Sequence, residues 1–544
     1  MPRMQQSILR GLFNSRRSSV FRHHTRIAAS IFARPCSCTA ALRESDAPPS
    51  PSLRTVAHDP PKPPADHRKL ATKQKLFITS PYSPGSPLLL PNGADMFVKL
   101  QNLLRGLYPH FGFREVITPT IYKKSLWEKS GHWENYAEDM FEVKGRGASG
   151  RTENVEIGED EEFGLKPMNC PGHCLLFASE TRSYRDLPIR FADFSALHRN
   201  EISGALTGLT RVRRFHQDDG HIFCRPSQVE DEIKKTLEFI ELIYSKIFDL
   251  GPYRLVLSTR PQEHYIGTLE EWNRAEDQLR AALDHSGQAW SVNEGDGAFY
   301  GPKIDIILKD SDGKEHQTAT IQLDFQLPKR FGLEYAAPDV DAELRGESDY
   351  DHNSHATPGP VTPIIVHRAV LGSLERFMAL LIEHYDGLYP FWISPRPAIL
   401  LTASQDDAVL AYAKDIQASI TRADCGQDST LGPSAQHEYM LTHGLERSRE
   451  SIVCHFDLDS SERSLSKKIR LARTEGYNFL LVVGPKDLKD QTVTVQLWNH
   501  RRPDIVASML GADGVDKAKV KGFQTQLSRE DAVGLFKTLC AYHL

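Results

Sequence analysis

A succession of strand-like segments with few intervening helices constrains the fold of this 544-residue chain most strongly. Apolar patterning predicts strands in "IRFADFSALHR" (189–199), "RVRRFHQDDGHIFC" (211–224), "KIDIILKD" (303–310) and "ATIQLDFQL" (319–327). A strongly periodic amphipathic helix, "QVEDEIKKTLEFIELIYSKIF" (228–248), separates the second of these strands from the third. Many strands around one long helix indicate an antiparallel sheet of the α+β class.

Flanking segments extend this domain at both ends. "MFVKLQNLLRGLYPHFGF" (96–113) has apolar residues at helical spacing, and "REVITPTIY" after it predicts a strand. Pro119 interrupts that strand, which suits an edge or interface strand better than a central one. "TPIIVHRAVLGSLERFMALLIEHY" (362–385) predicts a strand that leads through Gly372 into an amphipathic helix. We place the large domain at residues 66–393.

The pattern changes after "FWISPRP" (391–397). Strand-like "AILLTA", "SIVCHFDLD", "NFLLVVGP" and "TVTVQLW" alternate with helices near 405–421, 462–475 and 528–541, which indicates a separate α/β domain of parallel or mixed type at 396–544. Three segments are predicted to be insertions, namely 143–163, 334–360 and 423–452.

The first 43 residues differ from all that follow. They contain eight arginines and several serines, no acidic residue precedes Glu44, and apolar residues share one helical side. Such a composition is typical of a mitochondrial transit peptide, so we expect the mature protein in the mitochondrial matrix. A disordered basic tail that binds RNA is the alternative. Residues 44–65 form a Pro-rich linker.

The overall composition narrows the classes of protein further. No apolar run approaches the ~20 residues that a membrane-spanning helix needs. The eight cysteines are scattered, which favours reduced thiols over a disulfide framework. A net charge of −5 neither requires nor excludes a nucleic-acid partner, since binding depends on local basic surface.

Two features carry candidate chemistry. "KPMNCPGHC" (166–174) brings two cysteines and a histidine close together, and spacing alone leaves a half metal site, a reactive thiol pair and an incidental loop all open. Arginines also recur in or beside the predicted strands and in the last helix of the large domain. Several converging guanidinium groups favour a nucleotide triphosphate held by side chains, because no glycine-rich phosphate loop is present. These arginines are Arg199, Arg211, Arg213, Arg214 and Arg376.

Three segments resemble the motifs of class II aminoacyl-tRNA synthetases. "FREVITPTIY" resembles motif 1, "HRNEISGALTGLTRVRRFHQDDGHIF" (198–223) motif 2 and "HRAVLGSLERF" (367–377) motif 3. Longer strings, among them "SGHWENY", "KPMNCPGH", "GAFYGPKIDIIL" and "TIQLDFQLP", are specific to threonyl-tRNA synthetases. The resemblance is to short mitochondrial members of that family. It implies a class II antiparallel-sheet catalytic domain followed by a smaller α/β anticodon-binding domain.

The resemblance also implies a metal site. Cys170, His221 and His367 correspond to the three ligands of a zinc ion that, in this family, accepts the amino and hydroxyl groups of threonine. Three protein ligands leave a coordination position open, as in catalytic rather than structural zinc sites. Cys174 is then a buried, inert neighbour.

The remaining roles are carried over from the family position by position. Arg199, Lys303 and Arg376 would assist the reaction, and His132 matches a histidine proposed to assist acyl transfer. Further residues match positions that contact ATP (Glu201, Arg211, Phe215 and Gln317) and threonine (Met168, Gln217, Asp219, Tyr300 and Gln322). Mg²⁺ is expected to accompany ATP.

Partners follow from the same resemblance. It implies threonine and tRNA(Thr) as substrates with ATP, a homodimer formed through motif 1, and no membrane. The basic helix would meet tRNA phosphates through Arg463, Lys467, Lys468, Arg470 and Arg473. Two positions that read anticodon bases in bacterial relatives are Asp487 and Gln496 here, which puts those contacts in doubt.

Most relatives carry N-terminal domains, one of which hydrolyses seryl-tRNA, and residues 1–65 have no room for them. We therefore expect weak removal of mischarged serine by this chain. Two alternatives stay open. One is a synthetase-like accessory or regulatory subunit without catalysis, a class that usually loses the motif arginines or metal ligands. The other is a class II synthetase for proline or serine, which lacks the Cys–His–His set.

Overall fold

The computed structural model describes residues 64–144, 162–310, 313–347, 356–421, 456–511 and 521–544. All of them belong to the unit Pro63–Leu544. The predicted transit peptide (1–43), the linker up to residue 63 and the insertion at 423–452 lie outside the described residues. Residues 145–161 and 348–355, which belong to the other two predicted insertions, also lie outside the described residues.

A long, mainly antiparallel sheet forms the centre of the large domain. Three smaller sheets accompany it. The strands of all four sheets, in chain order, are β1 (Phe77–Ile78), β2 (Leu88–Leu89), β3 (Arg114–Glu115), β4 (Ile121–Lys123), β5 (Glu142–Val143), β6 (Phe163–Leu165), β7 (Ile189–Asp193), β8 (Ala196–His198), β9 (Arg214–Cys224), β10 (Arg254–Ser258), β11 (Trp290–Asn293), β12 (Lys303–Lys309), β13 (Glu315–Asp324), β14 (Tyr335–Ala337), β15 (Gly359–Val361) and β16 (Ile364–Ser373).

The strand order of the main sheet is β11-β10-β12-β13-β16-β9-β7-β3, with β8 paired to β9. Among the described strands of this main sheet, only the outer pairs β10–β11 and β3–β7 are parallel. The four predicted strands all lie in this sheet, so the prediction of an antiparallel α+β fold is confirmed.

Helices cover the sheet and its ends. They are α1 (His67–Gln74), α2 (Pro91–Leu107), α3 (Lys124–Ser130), α4 (His132–Tyr136), α5 (Cys170–Ala178), α6 (Val229–Glu241), α7 (Leu269–Ser286), α8 (Gln326–Phe331), α9 (Val340–Arg345) and α10 (Leu374–His384). The long predicted helix is α6 extended by a π-helical segment, Leu242–Ile247. The prediction overlooked α7, although Thr268 and Glu271 form a capping box at its start and Gly287 ends it in a left-handed conformation.

Strand alternation places apolar side chains on one face of the main sheet and polar side chains on the other. Ile222, Ile304, Ile321 and Val366 are buried in the main hydrophobic core, where α2, α6, α7 and α10 also contribute. Side chains one position away along the same strands must point to the opposite face, because successive residues of a strand alternate. That opposite face carries the polar residues of motifs 2 and 3.

The motif 1 segment divides at its proline. β3 joins the end of the main sheet beside β7, whereas β4 pairs with β6 in a separate small sheet. Pro119 lies between the two strands. The single interrupted strand predicted here is therefore two short strands in different sheets, since proline cannot donate a ladder hydrogen bond.

The turn between β16 and α10 requires glycine. Gly372 has a φ of +65°, and a Cβ there would lie 2.0 Å from the carbonyl oxygen of Thr318. Ser373 then caps α10, accepting a hydrogen bond from the backbone N–H of Arg376 at 3.3 Å. The sharp turn places Arg376 in the first turn of the helix, directly beside the sheet.

The C-terminal part forms a second sheet with its own core. Its elements are β17 (Ala398–Thr402), α11 (Asp407–Thr421), β18 (Phe456–Asp459), α12 (Leu465–Glu475), β19 (Phe479–Val483), α13 (Pro485–Asp490), β20 (Thr492–Leu497), α14 (Pro503–Met509), β21 (Gln524–Ser528) and α15 (Arg529–Ala541). β17, β18 and β19 pair in parallel, and β20 and β21 are antiparallel. The predicted mixed α/β arrangement is confirmed.

Within the described ranges, none of the helices has both the length and the apolar character needed to cross a bilayer.

Candidate active site

A cavity of 440 Å³ opens on the polar face of the main sheet. Arg213, Arg214 and His132 do not line it, whereas all the other residues that the resemblance implies for ATP, threonine, the metal and catalysis do. These are Met168, Cys170, Arg199, Glu201, Arg211, Phe215, Gln217, Asp219, His221, Tyr300, Lys303, Gln317, Gln322, His367 and Arg376. Residues spread over more than two hundred positions of the sequence therefore meet around one space.

Strand register aligns the middle of the site. Lys303 of β12 pairs with Gln322 of β13, and Gln322 pairs in turn with His367 of β16. His367 pairs with His221 of β9. One cross-strand row thus carries a cation, an amide and two imidazoles on the same face, because directly opposite residues of a sheet point the same way.

Cys170, His221 and His367 meet at one end of this row. One potential ligand atom from each lies within 4.8 Å of the others, and the three residues are all buried. Both ring nitrogens of His221 are buried without a hydrogen-bond partner among the described residues. Unpartnered buried nitrogens beside a thiol and a second imidazole fit a bound metal ion, and this donor set suits zinc.

The protonation states fit the same interpretation. Burial keeps the pKa of His221 well below its ordinary value, so the ring is neutral. Burial raises the pKa of the Cys170 thiol, so a cation that bound here would have to displace its proton. His367 contacts the Oδ2 atom of Asp324 through Nε2 at 2.9 Å, which leaves Nδ1 to face the other ligands. A carboxylate on the second nitrogen is the usual arrangement for a metal-binding histidine.

The side chains expected around threonine lie next to these three. The Tyr300 hydroxyl donates a short hydrogen bond to Gln322, and the Asn169 amide donates to Asp219 at 3.1 Å. Burial raises the pKa of Asp219. Polar side chains that are already held in place can orient a small polar substrate at little further entropic cost.

Arginines occupy the other end of the cavity. The Arg199 guanidinium lies over the Phe215 ring at 5.0 Å, and its buried Nε has no hydrogen-bond partner among the described residues. Arg376 donates to two backbone carbonyl groups, those of Thr210 at 3.0 Å and Gln317 at 3.1 Å. Burial and the nearby charges of Arg199 and Arg211 lower its pKa. Such mutual repulsion indicates a site built for anionic groups.

Glu201 and Arg211 show a contact that the sequence did not indicate. They were expected to meet different parts of ATP, yet Arg211 binds Glu201 through Nε at 2.8 Å and Nη2 at 2.7 Å. Both contacts go to the Oε2 atom of Glu201, so they engage neither its Oε1 atom nor Nη1 of Arg211.

Lys303 is held between two carboxylates. Its Nζ lies 3.1 Å from Asp305 and 3.3 Å from Asp296. Burial lowers the pKa of Lys303, but these two charges outweigh burial and raise it, so the ammonium group is charged. Gln317 also donates a short hydrogen bond to Asp305.

His132 does not line the cavity. It is fully buried, its Nδ1 lies 2.8 Å from the Ser130 hydroxyl, and burial lowers its pKa to about 4. Asp324, which contacts His367, was not predicted from the sequence to belong to the site. Its position two residues after Gln322 on β13 places both on the same face, so strand alternation could have revealed it.

The C-terminal sheet corrects one expectation about tRNA. Lys468 was expected to meet phosphates, but it is buried and donates to Thr402 at 2.9 Å. Asp487 is also turned inward, where it accepts from the Gly484 N–H at 3.0 Å and the Thr494 hydroxyl at 3.1 Å. Gln496 instead accepts from Arg473 at 3.0 Å.

Comparison with known proteins agrees with this geometry. Residues 154–345 match the family described as "tRNA synthetase class II core domain (G, H, P, S and T)", and residues 398–503 match "Anticodon binding domain". A relative from Schizosaccharomyces pombe, named probable mitochondrial threonine–tRNA ligase, is 46% identical over 81% of this chain and 86% of its own length. The mitochondrial threonine–tRNA ligase of Saccharomyces cerevisiae is 45% identical, over 80% and 86%.

This chain belongs to the threonine–tRNA ligase family. A solved structure described as the RNA binding domain of threonyl-tRNA synthetase from Cryptosporidium parvum superposes with a TM-score of 0.67 at 39% identity. The superposition covers 87% of this chain and 98% of the other. Membership of the threonine–tRNA ligase family accounts for the two-domain architecture, in which a class II core is followed by an anticodon-binding domain.

Proposed function

We propose that this chain is a mitochondrial threonine–tRNA ligase that selects its amino acid with a bound zinc ion. It activates threonine with ATP and transfers the threonyl group to tRNA(Thr). The observation that carries the proposal is the convergence of Cys170, His221 and His367 on the cavity that the motif arginines also line. An amino-acid site and a phosphate site thus share one space.

Cys170, His221 and His367 would hold the zinc ion. When bound, zinc supplies an open coordination position for the amino and hydroxyl groups of threonine. Tyr300, Gln322 and Asp219 line the same cavity and would orient the amino acid, with Met168 and Gln217 completing the pocket. A site that demands a hydroxyl group can reject valine by about 10⁴–10⁵, whereas serine keeps the hydroxyl and is rejected less strongly.

The arginine end of the cavity would hold Mg²⁺–ATP. Stacking of adenine on Phe215 fits the ring's position beneath Arg199, and the adenine amino group would meet Glu201. Arg211 and Arg376 would bind the outer phosphates, with Gln317 beside them. The threonine carboxylate then attacks the α-phosphate, which releases pyrophosphate. Arg199 and Lys303 would neutralise the charge that develops on the phosphoryl oxygens in that step.

His132 differs from the other candidate catalytic residues in its position. It was expected to assist acyl transfer, but it is buried outside the cavity lining and its pKa is lowered to about 4 by burial. It contacts Ser130 and packs against Phe299, a neighbour of Tyr300. We propose that His132 supports the wall of the threonine pocket.

The domain limits, location and oligomeric state complete the proposal. We keep the catalytic domain at 66–393 and the anticodon-binding domain at 396–544. The mitochondrial matrix is the proposed location, which is supported by the mitochondrial relatives and by the basic first 43 residues.

A homodimer is supported by β3, which ends the main sheet, and by Ile117 after it, which is 87% exposed. Light scattering of the wild-type chain and an Ile117→Asp variant would test the dimer.

The activity is tested by ATP–pyrophosphate exchange on the zinc-replete full chain with threonine, serine, valine and proline. We expect strong exchange with threonine, weaker exchange with serine and negligible exchange with valine or proline. Arg199→Ala should abolish the exchange, whereas Arg280→Ala, on the partly exposed face of α7, is the matched control and should not. Folded, zinc-replete protein with no exchange for any amino acid would favour a non-catalytic accessory role instead.

A further inference from the structure

A buried histidine at the start of the described chain connects the motif 2 loop to the motif 3 helix. His67, the first residue of α1, is 4% exposed. Its Nδ1 lies 2.7 Å from the Oε1 atom of Glu383, near the end of α10. Its Nε2 accepts a hydrogen bond from the backbone N–H of Leu209 at 3.2 Å.

These two contacts define the tautomer of the ring. Because Leu209 donates to Nε2, that nitrogen must carry a lone pair, so Nδ1 carries the proton and donates to Glu383. The backbone N–H of His67 also donates to the same carboxylate oxygen at 3.2 Å. Glu383 therefore fixes the ring with its acceptor nitrogen directed at the loop.

The loop approaches the ring very closely. Gly208 has a φ of +48°, and a Cβ at that residue would lie 2.1 Å from the Nε2 atom of His67. Leu209 is fully buried beside it in the main core. Any larger residue at 208 would push the imidazole away from the Leu209 amide.

A second contact, with the cavity-lining residue Arg376, also holds the motif 2 loop. Arg376 donates to the carbonyl oxygen of Thr210, one residue after Leu209. The backbone N–H of Arg211 then closes a turn onto Thr207 at 3.3 Å. Glu383 and Arg376 both lie on α10, so one helix holds Leu209 through His67 and Thr210 directly.

We propose that His67 is a positioning residue for ATP. Through the Leu209 amide it holds the motif 2 loop at the place where Arg211 and Arg376 can bind the outer phosphates together. His67 itself does not line the cavity. The threonine pocket lies on β9, β13 and β16 at the other end of the cavity, so loss of the contact should weaken ATP binding selectively. This inference rests on the proposed function for the identity of the nucleotide.

The test compares two substitutions of the same residue in the full chain. His67→Leu removes the acceptor and keeps much of the volume, whereas His67→Gln keeps an oxygen that can accept from Leu209. We expect His67→Leu to raise the KM for ATP in pyrophosphate exchange by about tenfold. The KM for threonine and the zinc content should stay unchanged. His67→Gln should restore most of the affinity for ATP.

Gly208→Ala tests the same contact from the loop side without altering the histidine, should His67→Leu fail to fold. It should show the same selective rise in the KM for ATP. The proposal is overturned if folded variants leave the KM for ATP unchanged, if the KM values for ATP and threonine rise together, or if Gln is as impaired as Leu. Calorimetric titration with Mg²⁺–ATP measures the same effect independently of turnover. A wild-type chain that binds ATP without exchange would thus contradict the proposed function and still test the role of His67.

Discussion

The rings of His221 and His367 meet edge to face across two antiparallel strands, with centroids 4.5 Å apart and planes at 77°. The two residues are direct register partners in the β9–β16 pairing. Backbone pairing therefore brings together two proposed ligands that are 146 positions apart, and only the thiol of the proposed site has to come from another element. Cys170 supplies it from the first turn of α5.

Replacing Cys170 with serine should remove most of the bound zinc. A serine hydroxyl is a much poorer zinc ligand than a thiolate, so zinc affinity should fall by more than about 100-fold, and threonine-dependent exchange should fall with it. Metal analysis of purified protein measures the first effect directly. Cys174→Ala is the matched control, because Cys174 is buried one helical turn away and should leave the metal content intact. Equal zinc loss in both variants would contradict the assignment.

Asp324→Asn should weaken zinc binding without removing a ligand. The carboxylate accepts from His367 through Oδ2, and its Oδ1 accepts from the backbone N–H groups of Gln326 at 2.7 Å and Leu327 at 3.0 Å. Asparagine can keep the backbone contacts but presents an amide to the imidazole. We expect a 10–100-fold loss of zinc affinity, measured by competition with a chelator. Unchanged affinity would show that Asp324 only caps α8.

The sequence predicted those parts of the candidate site in which residues are fixed by local motifs and by the alternation of side chains along strands. Lys303, Gln322, His221 and His367 were assigned by resemblance, and their shared face follows from the antiparallel register. The passage from strand to helix through Gly372 was also predicted, and the structure gives this glycine a positive φ, which few other residues adopt.

Patterns failed where the direction of a side chain depends on tertiary packing. Lys468 belongs to a basic helix, yet it points inward to Thr402 because one face of α12 packs on the sheet. Glu201 and Arg211 lie ten positions apart, and only the fold of the motif 2 loop brings them into contact. The motif that contains His132 did not indicate that aromatic rings would pack around this side chain and bury it. None of these orientations is encoded in spacing alone.

A buried carboxylate behind the metal site should contribute measurably to stability. Asp193 accepts hydrogen bonds from the Thr118 hydroxyl at 2.6 Å and the Ser195 backbone at 2.7 Å, and Lys166 lies 3.9 Å away. Burial raises its pKa, but these neighbours and His173 outweigh burial and lower the pKa from 3.8 to about 2. Asp193→Asn should therefore reduce the free energy of unfolding at about pH 6 by about 2 kcal/mol.

The sign of the pH dependence follows from the lowered pKa. The ionised carboxylate stabilises the folded state fully above the ordinary pKa of 3.8, and this stabilisation is lost as the pH falls towards 2. Urea denaturation of the wild type and Asp193→Asn should thus give a difference that closes between these two values. A constant difference across the range would mean that the substitution acts through packing alone.

An aromatic side chain in the C-terminal part of the chain lies between two cationic groups. Trp498 follows β20, and the Arg473 guanidinium lies 4.1 Å from its ring centre while the Lys521 ammonium lies 4.8 Å away. An aromatic ring flanked by cations suits stacking of an unpaired base beside its phosphates. Trp498→Ala should raise the KM for tRNA in aminoacylation by about tenfold and leave pyrophosphate exchange unchanged, because exchange needs no tRNA. Trp498→Phe keeps a ring and should lose less. Equal defects in exchange and aminoacylation would show instead that Trp498 acts through the folding of the C-terminal domain.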